Sequence, residues 1–259
     1  MLLRGITFDA VGVLIEPSER VGEVYHRALR AHDAAAARAT TPAQIARRFR
    51  RAYNTPALYA ASSSTRFHDG FWRGIVAAST GSDSAQVFDH VWAEYALASS
   101  WRVLPGAAEA LARLRRAGLR LGVLSNNDAR LRPILQGLGL AGFFDAVVLS
   151  SEVGAEKPSP VIFERALAAL ALPRSQMLHV GDDRLLDVWG ARSAGVLALL
   201  MGPGGGGTDV RSLPALAERL LRFHDPSSRG GGGGGGGVPF YYMHEEEDED
   251  EEEVVESRY

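Results

Sequence analysis

The chain has no cysteine, and only one of its 28 basic residues, Lys157, is a lysine. The absence of cysteine excludes disulfides and thiolate metal sites. No apolar run reaches the roughly 18 residues that a membrane-spanning helix needs. Because arginine is used almost everywhere else, the single ammonium group in the segment GAEKPSP indicates a specific task. A compact cation with three donors suits a site where a carboxylate meets a phosphate.

The formal net charge of −3 averages two unlike parts of the 259-residue chain. The segment His244–Tyr259 holds ten acidic residues and one arginine, so 27 basic and 21 acidic residues remain elsewhere. This modest positive excess fits a small anionic substrate. Basic stripes interleaved with aromatic residues are lacking, so we expect no nucleic-acid partner. The first residues read as a buried strand and not as a targeting segment or membrane anchor, which favours a cytoplasmic or nuclear protein.

Residues 226–259 have a composition unlike the rest of the chain. Eight consecutive glycines, Gly230–Gly237, predict a flexible linker. The acidic block Glu245–Glu253 repels itself, which predicts a disordered tail. Such an acidic tail could bind a basic partner.

Hydrophobic periodicity divides the remaining chain into two regions. Residues 16–100 carry four amphipathic helical patterns and no strand-like block, which predicts a helical insert. From Trp101 onward, short buried strand patterns alternate with helical ones, which predicts a parallel sheet covered on both faces. The predicted fold class is therefore α/β: a Rossmann-like, doubly wound parallel sheet core over residues 1–15 and 101–225, with an inserted helical cap domain over residues 16–100.

Polar side chains follow four of the predicted strands, at the edge of the sheet where ligands bind in such folds. In chain order they are Asp9, Ser125 with Asn126, Lys157, and Asp182 with Asp183. A carboxylate held by a glycine-containing turn, such as Asp9, can act as a nucleophile or as a ligand to a hard metal. Asp182 offers a second metal-binding carboxylate, and Asp187 could support it by hydrogen bonding. His179, inside a strand pattern, is interpreted as a core histidine with satisfied ring nitrogens.

The segments FDAVGVL, LSNND, EKP and HVGDDRLLD resemble the four motifs of the haloacid dehalogenase-like hydrolase superfamily, in order and in spacing. The resemblance extends from Met1 to Phe223. Within the superfamily the chain is most similar to the eukaryotic domain-containing protein 3 group, also called the rhythmically-expressed-gene-2-like group. The helical insert is similar to the small cap domain of the family.

The resemblance implies a magnesium-dependent phosphomonoester hydrolase. Asp9 would attack the phosphate and form an aspartyl-phosphate intermediate, which water then hydrolyses. Ser125 and Asn126 would bind the transferring phosphate, and Lys157 would pair with it and with Asp9. The implied Mg²⁺ ligands and their supporting groups are Asp9, the main-chain carbonyl of Val11, Asp182, Asp183 and Asp187.

Val11 is the main departure from the family pattern. Phosphatases of the family carry an aspartate there, two positions after the nucleophile, as general acid and base. Valine keeps a carbonyl for the metal but has no proton to donate, which predicts slow turnover or a restriction to activated leaving groups. Two alternatives stay open: a non-catalytic regulatory protein that binds phosphate and metal, and a 2-haloacid dehalogenase. The second is less favoured because the tyrosine and the halide-binding arginine usual in dehalogenases are not evident.

Overall fold

The computed structural model describes residues 3–54, 69–202 and 210–222. The predictions made for residues 226–259, the glycine linker and the acidic tail, lie outside these described residues. Within the described ranges, every helix is too short or too polar to cross a lipid bilayer.

In the described part of the chain, seven strands form two sheets. They are β1 Gly5–Phe8, β2 Ile15–Pro17, β3 Trp101–Val103, β4 Arg120–Ser125, β5 Ala146–Leu149, β6 Met177–Gly181 and β7 Leu197–Leu200. The main sheet has the order β5-β4-β1-β6-β7, and all of its neighbouring strands are parallel. The chain winds outward first on one side of β1 and then on the other, so the strand order reverses beside β1. The predicted doubly wound parallel sheet is confirmed, and its reversal point is where such folds bind ligands.

The helical insert contains five helices among the described residues. They are α1 Val21–His32, α2 Ala34–Ala39, α3 Pro42–Tyr53, α4 Asp69–Thr80 and α5 Ala85–Glu94. Four match the predicted patterns, whereas the alanine-rich α2 buries none of its residues and so has no apolar periodicity to detect. Tyr25, Phe49 and Ile75 belong to a hydrophobic cluster made only of insert residues. The assignment of residues 16–100 to a separate domain stays a prediction.

The two chain crossings between the insert and the sheet lie side by side. Strands β2 and β3 pair antiparallel, with Ile15 opposite Val103 and Pro17 opposite Trp101. The Ser18 N–H donates to the Ser100 carbonyl at 2.9 Å, which continues the pairing by one step. This small sheet could not be predicted from the sequence, because three-residue strands are too short to show an alternation of apolar and polar residues.

Helices cover both faces of the main sheet. They are α6 Ala107–Arg116, α7 Leu131–Gly137, α8 Ser150–Val153, α9 Pro160–Leu170, the π-helical segment Arg184–Trp189, α10 Gly190–Ser193 and α11 Leu213–Leu221. Val123 belongs to one hydrophobic cluster and its neighbour Leu124 to another. Since successive strand residues point to opposite faces, this division shows that both faces of β4 are covered.

Candidate active site

Asp9 lies one residue beyond β1, at the edge of the sheet where the strand order reverses. Its carboxylate oxygen Oδ1 accepts a hydrogen bond from the Ala10 N–H at 2.7 Å. The same oxygen lies 3.1 Å from the Lys157 ammonium, and the Asp9 side chain is 17% exposed. Burial raises the pKa of Asp9, and the charge of Lys157 partly opposes this effect. Asp9 is therefore a partly accessible carboxylate that has a cation in contact.

The Lys157 side chain is 1% exposed and lies between two carboxylates. Its ammonium donates to Asp187 Oδ1 at 2.6 Å, in addition to its contact with Asp9. Burial acts to lower the pKa of Lys157, but the charges of Asp187 and Asp9 outweigh burial and raise it. The ammonium therefore stays charged, as a fixed cation next to the proposed nucleophile.

Asp9, Asp182 and Asp187 form a cluster in which one ligand atom from each lies within 4.8 Å of the others. Asp182 approaches the turn after β1 closely at Gly12, which has a φ of 84°. A Cβ atom at Gly12 would collide with the Asp182 carboxyl, so both the conformation and the space require glycine. Three carboxylates in reach of one point are a suitable donor set for a hard divalent cation.

Ser125 is the last residue of β4, and Asn126 follows it. Strand β4 pairs with β1 on the side opposite β6. Ser125 is buried, and its hydroxyl acts to lower the pKa of Asp9. The amide of Asn126 donates to the main-chain carbonyl of Lys157 at 2.9 Å, and its oxygen accepts from the main-chain N–H of Lys157 at 2.6 Å. Asn126 thus holds the loop that carries Lys157 against the end of β4.

Asp183 lies outside the carboxylate cluster of the described residues. Its exposed side chain accepts hydrogen bonds from Leu185 N–H at 2.8 Å and Leu186 N–H at 2.7 Å. The Asp183 carboxylate therefore caps the π-helical segment, which is one of the usual reasons for an aspartate at a helix start.

Val11 lies in the turn between Asp9 and Gly12 and packs against the core. It lines a cavity of about 260 Å³ together with Gly12, Asp182 and Arg211. An apolar side chain therefore occupies the wall of the cavity next to the carboxylate cluster, where the family pattern calls for a proton donor.

Arg130 makes a connection that the sequence analysis missed. Its guanidinium lies 3.3 Å from the centre of the Trp92 ring in α5 and donates to the Trp92 carbonyl at 3.0 Å. Asp128 holds the same guanidinium at 2.7 Å. The loop after β4, which begins at Asn126, is thereby attached to the insert. Sequence periodicity carries no signal for a contact between residues so far apart in the chain.

Gly181 is the strand residue against which Asp187 packs, and it provides a test of the site. We expect Gly181→Ala to destabilise the protein by about 1–3 kcal/mol, because the added Cβ would collide with the Asp187 carboxyl. Gly142→Ala is the matched control, since nothing lies within 4 Å of a Cβ there. Urea unfolding of the two variants measures the difference. Equal free energies of unfolding would contradict the close packing of Asp187 on β6.

Comparison with known proteins gives a consistent result. A family model described as a haloacid dehalogenase-like hydrolase matches residues 3–195. The mouse protein named haloacid dehalogenase-like hydrolase domain-containing protein 3 is 33% identical over 207 residues, covering 77% of this chain and 82% of its own. A phosphoserine phosphatase of Thermus thermophilus is 41% identical over 119 residues, covering 46% of this chain and 48% of its own.

Two solved structures share the fold at lower identity. A haloacid dehalogenase-like (HAD) phosphatase from Thermococcus onnurineus has a TM-score of 0.61 and 22% identity, covering 84% of this chain and 98% of its own. An L-2-haloacid dehalogenase from Xanthobacter autotrophicus has a TM-score of 0.58 and 22% identity, covering 88% of this chain and 86% of its own. The fold thus occurs in proteins of both reaction types.

Proposed function

Because the chain belongs to the haloacid dehalogenase-like hydrolase family, we propose that it hydrolyses small phosphate monoesters with Asp9 as the nucleophile. The family prediction made from the four motifs is confirmed; the reaction and the residue roles are the proposal. The observation that carries it is the placement of Lys157, whose ammonium contacts Asp9 at 3.1 Å beside a group of three carboxylates. Such a pairing of cation and carboxylates matches the charge of a phosphate held by a divalent metal.

The residues present fit Mg²⁺ as the cofactor. Asp9, Asp182 and the main-chain carbonyl of Val11 would hold it, since all three provide the oxygen atoms that Mg²⁺ prefers. When bound, the cation supplies positive charge that offsets the negative charge on the phosphoryl oxygens. Asp187 would hold Lys157 in place and not bind the cation directly, because both of its carboxylate oxygens already accept hydrogen bonds. Lys157 and His179 donate to Oδ1, and the Asp183 N–H donates to Oδ2.

The proposed reaction begins when an Asp9 carboxylate oxygen attacks phosphorus and the ester oxygen of the substrate leaves. Lys157 and the Ser125 hydroxyl would bind phosphoryl oxygens and keep phosphorus in line with Asp9. Water then attacks the phosphorus of the aspartyl phosphate, which releases inorganic phosphate and restores the Asp9 carboxylate. The departing alcohol must take its proton from solvent, because valine at position 11 has none to give.

Restoring the missing proton donor should therefore increase turnover. We expect Val11→Asp to raise kcat for an alkyl phosphate about 10- to 100-fold, which is part of the range for general acid–base catalysis. The gain should be much smaller for p-nitrophenyl phosphate, whose leaving group needs no proton. Val11→Asn is the control of the same size without a titrating proton, and an equal gain in both variants would contradict a proton-transfer role.

A substrate panel tests the proposal itself. Phosphate release from phosphomonoesters is measured with Mg²⁺ and with excess chelator, and halide release is measured from 2-chloropropionate. We expect magnesium-dependent phosphate release and no halide release. Halide release in the presence of chelator would contradict the proposal and would identify the protein as a 2-haloacid dehalogenase. Binding of inorganic phosphate without turnover of any ester, in a protein that gains turnover as Val11→Asp, would identify the non-catalytic binding protein.

A further inference from the structure

We propose that His179 is a positioning residue for the site: it fixes the Asp187 carboxylate so that Asp187 in turn fixes the Lys157 ammonium beside Asp9. The inference rests on the proposed function for its catalytic consequence, but its structural content does not depend on turnover. Among the described residues His179 makes no hydrogen bond or ion pair with Asp9 or Lys157, so it acts through Asp187.

The contacts form one unbroken line through the interior. The Thr7 hydroxyl lies 2.9 Å from His179 Nδ1, and His179 Nε2 lies 3.0 Å from Asp187 Oδ1. That oxygen also accepts from the Lys157 ammonium at 2.6 Å, which reaches Asp9 at 3.1 Å. Thr7, His179, Asp187 and Lys157 are each no more than 1% exposed. Water is therefore excluded from every contact along this line except the last.

The direction of each hydrogen bond follows from the chemistry of the groups. The Lys157 charge and the His179 hydrogen bond overcome the effect of burial and lower the pKa of Asp187, so its carboxylate accepts and does not donate. His179 Nε2 must then carry the hydrogen, and the Thr7 hydroxyl can donate to Nδ1. The Asp187 carboxylate therefore fixes which imidazole nitrogen carries the hydrogen, and the Thr7 hydroxyl satisfies the other nitrogen.

The backbone fixes both ends of this arrangement. Thr7 and His179 are direct neighbours on the paired strands β1 and β6, so their separation is set by the sheet register. Phe163 packs edge-on against the imidazole with ring centres 5.4 Å apart, which holds the ring plane. Asp187 comes from the π-helical segment, and β6 meets its side chain at two residues: Gly181, against which it packs, and His179, which contacts Oδ1. We infer that His179 transmits the register of the sheet to that carboxylate.

The interpretation of His179 as a core histidine with satisfied nitrogens agrees with these contacts. One of the two groups that satisfy it, however, belongs to the carboxylate cluster around Asp9. A histidine with a purely structural role could be replaced by any residue of similar volume that is itself satisfied. A positioning role requires a donor at the place of Nε2, and the two roles therefore separate experimentally.

Asparagine and glutamine distinguish the two roles at this position. The amide nitrogen of glutamine falls near the place of His179 Nε2, whereas that of asparagine falls near Nδ1 and cannot reach Asp187. We expect His179→Gln to retain wild-type behaviour, and His179→Asn to lower kcat about 10- to 100-fold, as is usual for groups that orient catalytic ligands. KM should change little, because the substrate does not touch His179.

Lys157 provides a readout that does not need turnover. It is the only lysine in the chain, so protein labelled with ¹³C-lysine gives one set of side-chain NMR signals. We expect its Cε–Hε signal to shift in His179→Asn and to stay in place in His179→Gln. Thr7→Val, which removes only the hydroxyl, should shift the signal in the same direction by a smaller amount and serves if His179→Asn fails to fold.

The outcomes separate this inference from the proposed function. A lysine signal that shifts in His179→Asn and does not shift in His179→Gln supports the positioning role, even if the wild-type protein hydrolyses no ester. Equal effects of asparagine and glutamine on kcat and on the lysine signal, or no effect of either, would overturn it. In that case magnesium-dependent turnover by the wild type would still leave the phosphatase proposal intact.

Discussion

Replacing Lys157 with methionine is expected to lower the free energy of unfolding by about 3–5 kcal/mol and to abolish turnover. Methionine matches the lysine stem in length but leaves two carboxylates at the site without their cation. Asp187 is fully buried and Asp9 is partly buried, with side-chain exposures of 0% and 17%. Uncompensated charge at such positions costs far more than the lost contact itself.

Urea unfolding measures the effect on stability. Arg165→Met on the exposed face of α9 is the control for converting a cation to methionine, and we expect it to change stability by less than about 0.5 kcal/mol. Lys157→Arg should also impair the site, because a planar guanidinium cannot replace a compact ammonium between two carboxylates. Unchanged stability in Lys157→Met would contradict the buried ion pairs.

The stability loss should depend on pH, in a direction set by the shifted pKa values. The pKa of Asp187 is lowered in the folded protein, so its contribution is present above its unfolded value, about 3.9, and is lost as pH falls toward the folded value. The pKa of Lys157 is raised, so its contribution is complete below about 10.4 and is lost only as pH rises further. We expect the destabilisation in Lys157→Met to be largest between these limits and to shrink toward pH 4, where the orphaned carboxylates take up protons.

Asp9→Asn is expected to lower kcat for any phosphate ester by at least about 10⁴-fold, because a carboxamide cannot form the covalent intermediate. Asparagine keeps the size of the side chain and an oxygen that can accept from the Ala10 N–H. Lys157 keeps its contact with Asp187, so the fold should be retained. Since burial already raises the pKa of Asp9, loss of its charge should cost little stability.

The matched control is Asp183→Asn. Asp183 is exposed and caps the π-helical segment, and asparagine caps nearly as well. Its kcat should stay close to that of the wild type, whereas Asp9→Asn should lose turnover while binding inorganic phosphate. Full activity in Asp9→Asn would show that another group attacks the ester and would remove the central role proposed for Asp9.

Much of the fold could be predicted because the main-sheet strands are buried apolar runs that alternate with amphipathic helices. The chain positions at the ends of β1, β4 and β6 then placed Asp9, Ser125 and Asp182 at one edge. The contacts of His179 and Arg130 could not be predicted, because each depends on a pairing across the fold that leaves no periodic pattern. The sequence around a histidine in an apolar strand shows the same pattern whether the side chain bonds to a main-chain carbonyl or to Asp187.

The side-by-side pairing of β2 and β3 has a consequence for engineering. Pro17 lies opposite Trp101, and a hydrogen bond joins the next pair, Ser18 and Ser100. A two-residue hairpin turn could therefore connect the two strands directly. Everything between them would then be an exchangeable cassette. Grafting the corresponding segment of a relative onto this scaffold would exchange the helical insert while Asp9, Ser125, Lys157 and Asp182 remain in place, and the substrate panel of the chimaera would show whether the insert sets ester selectivity.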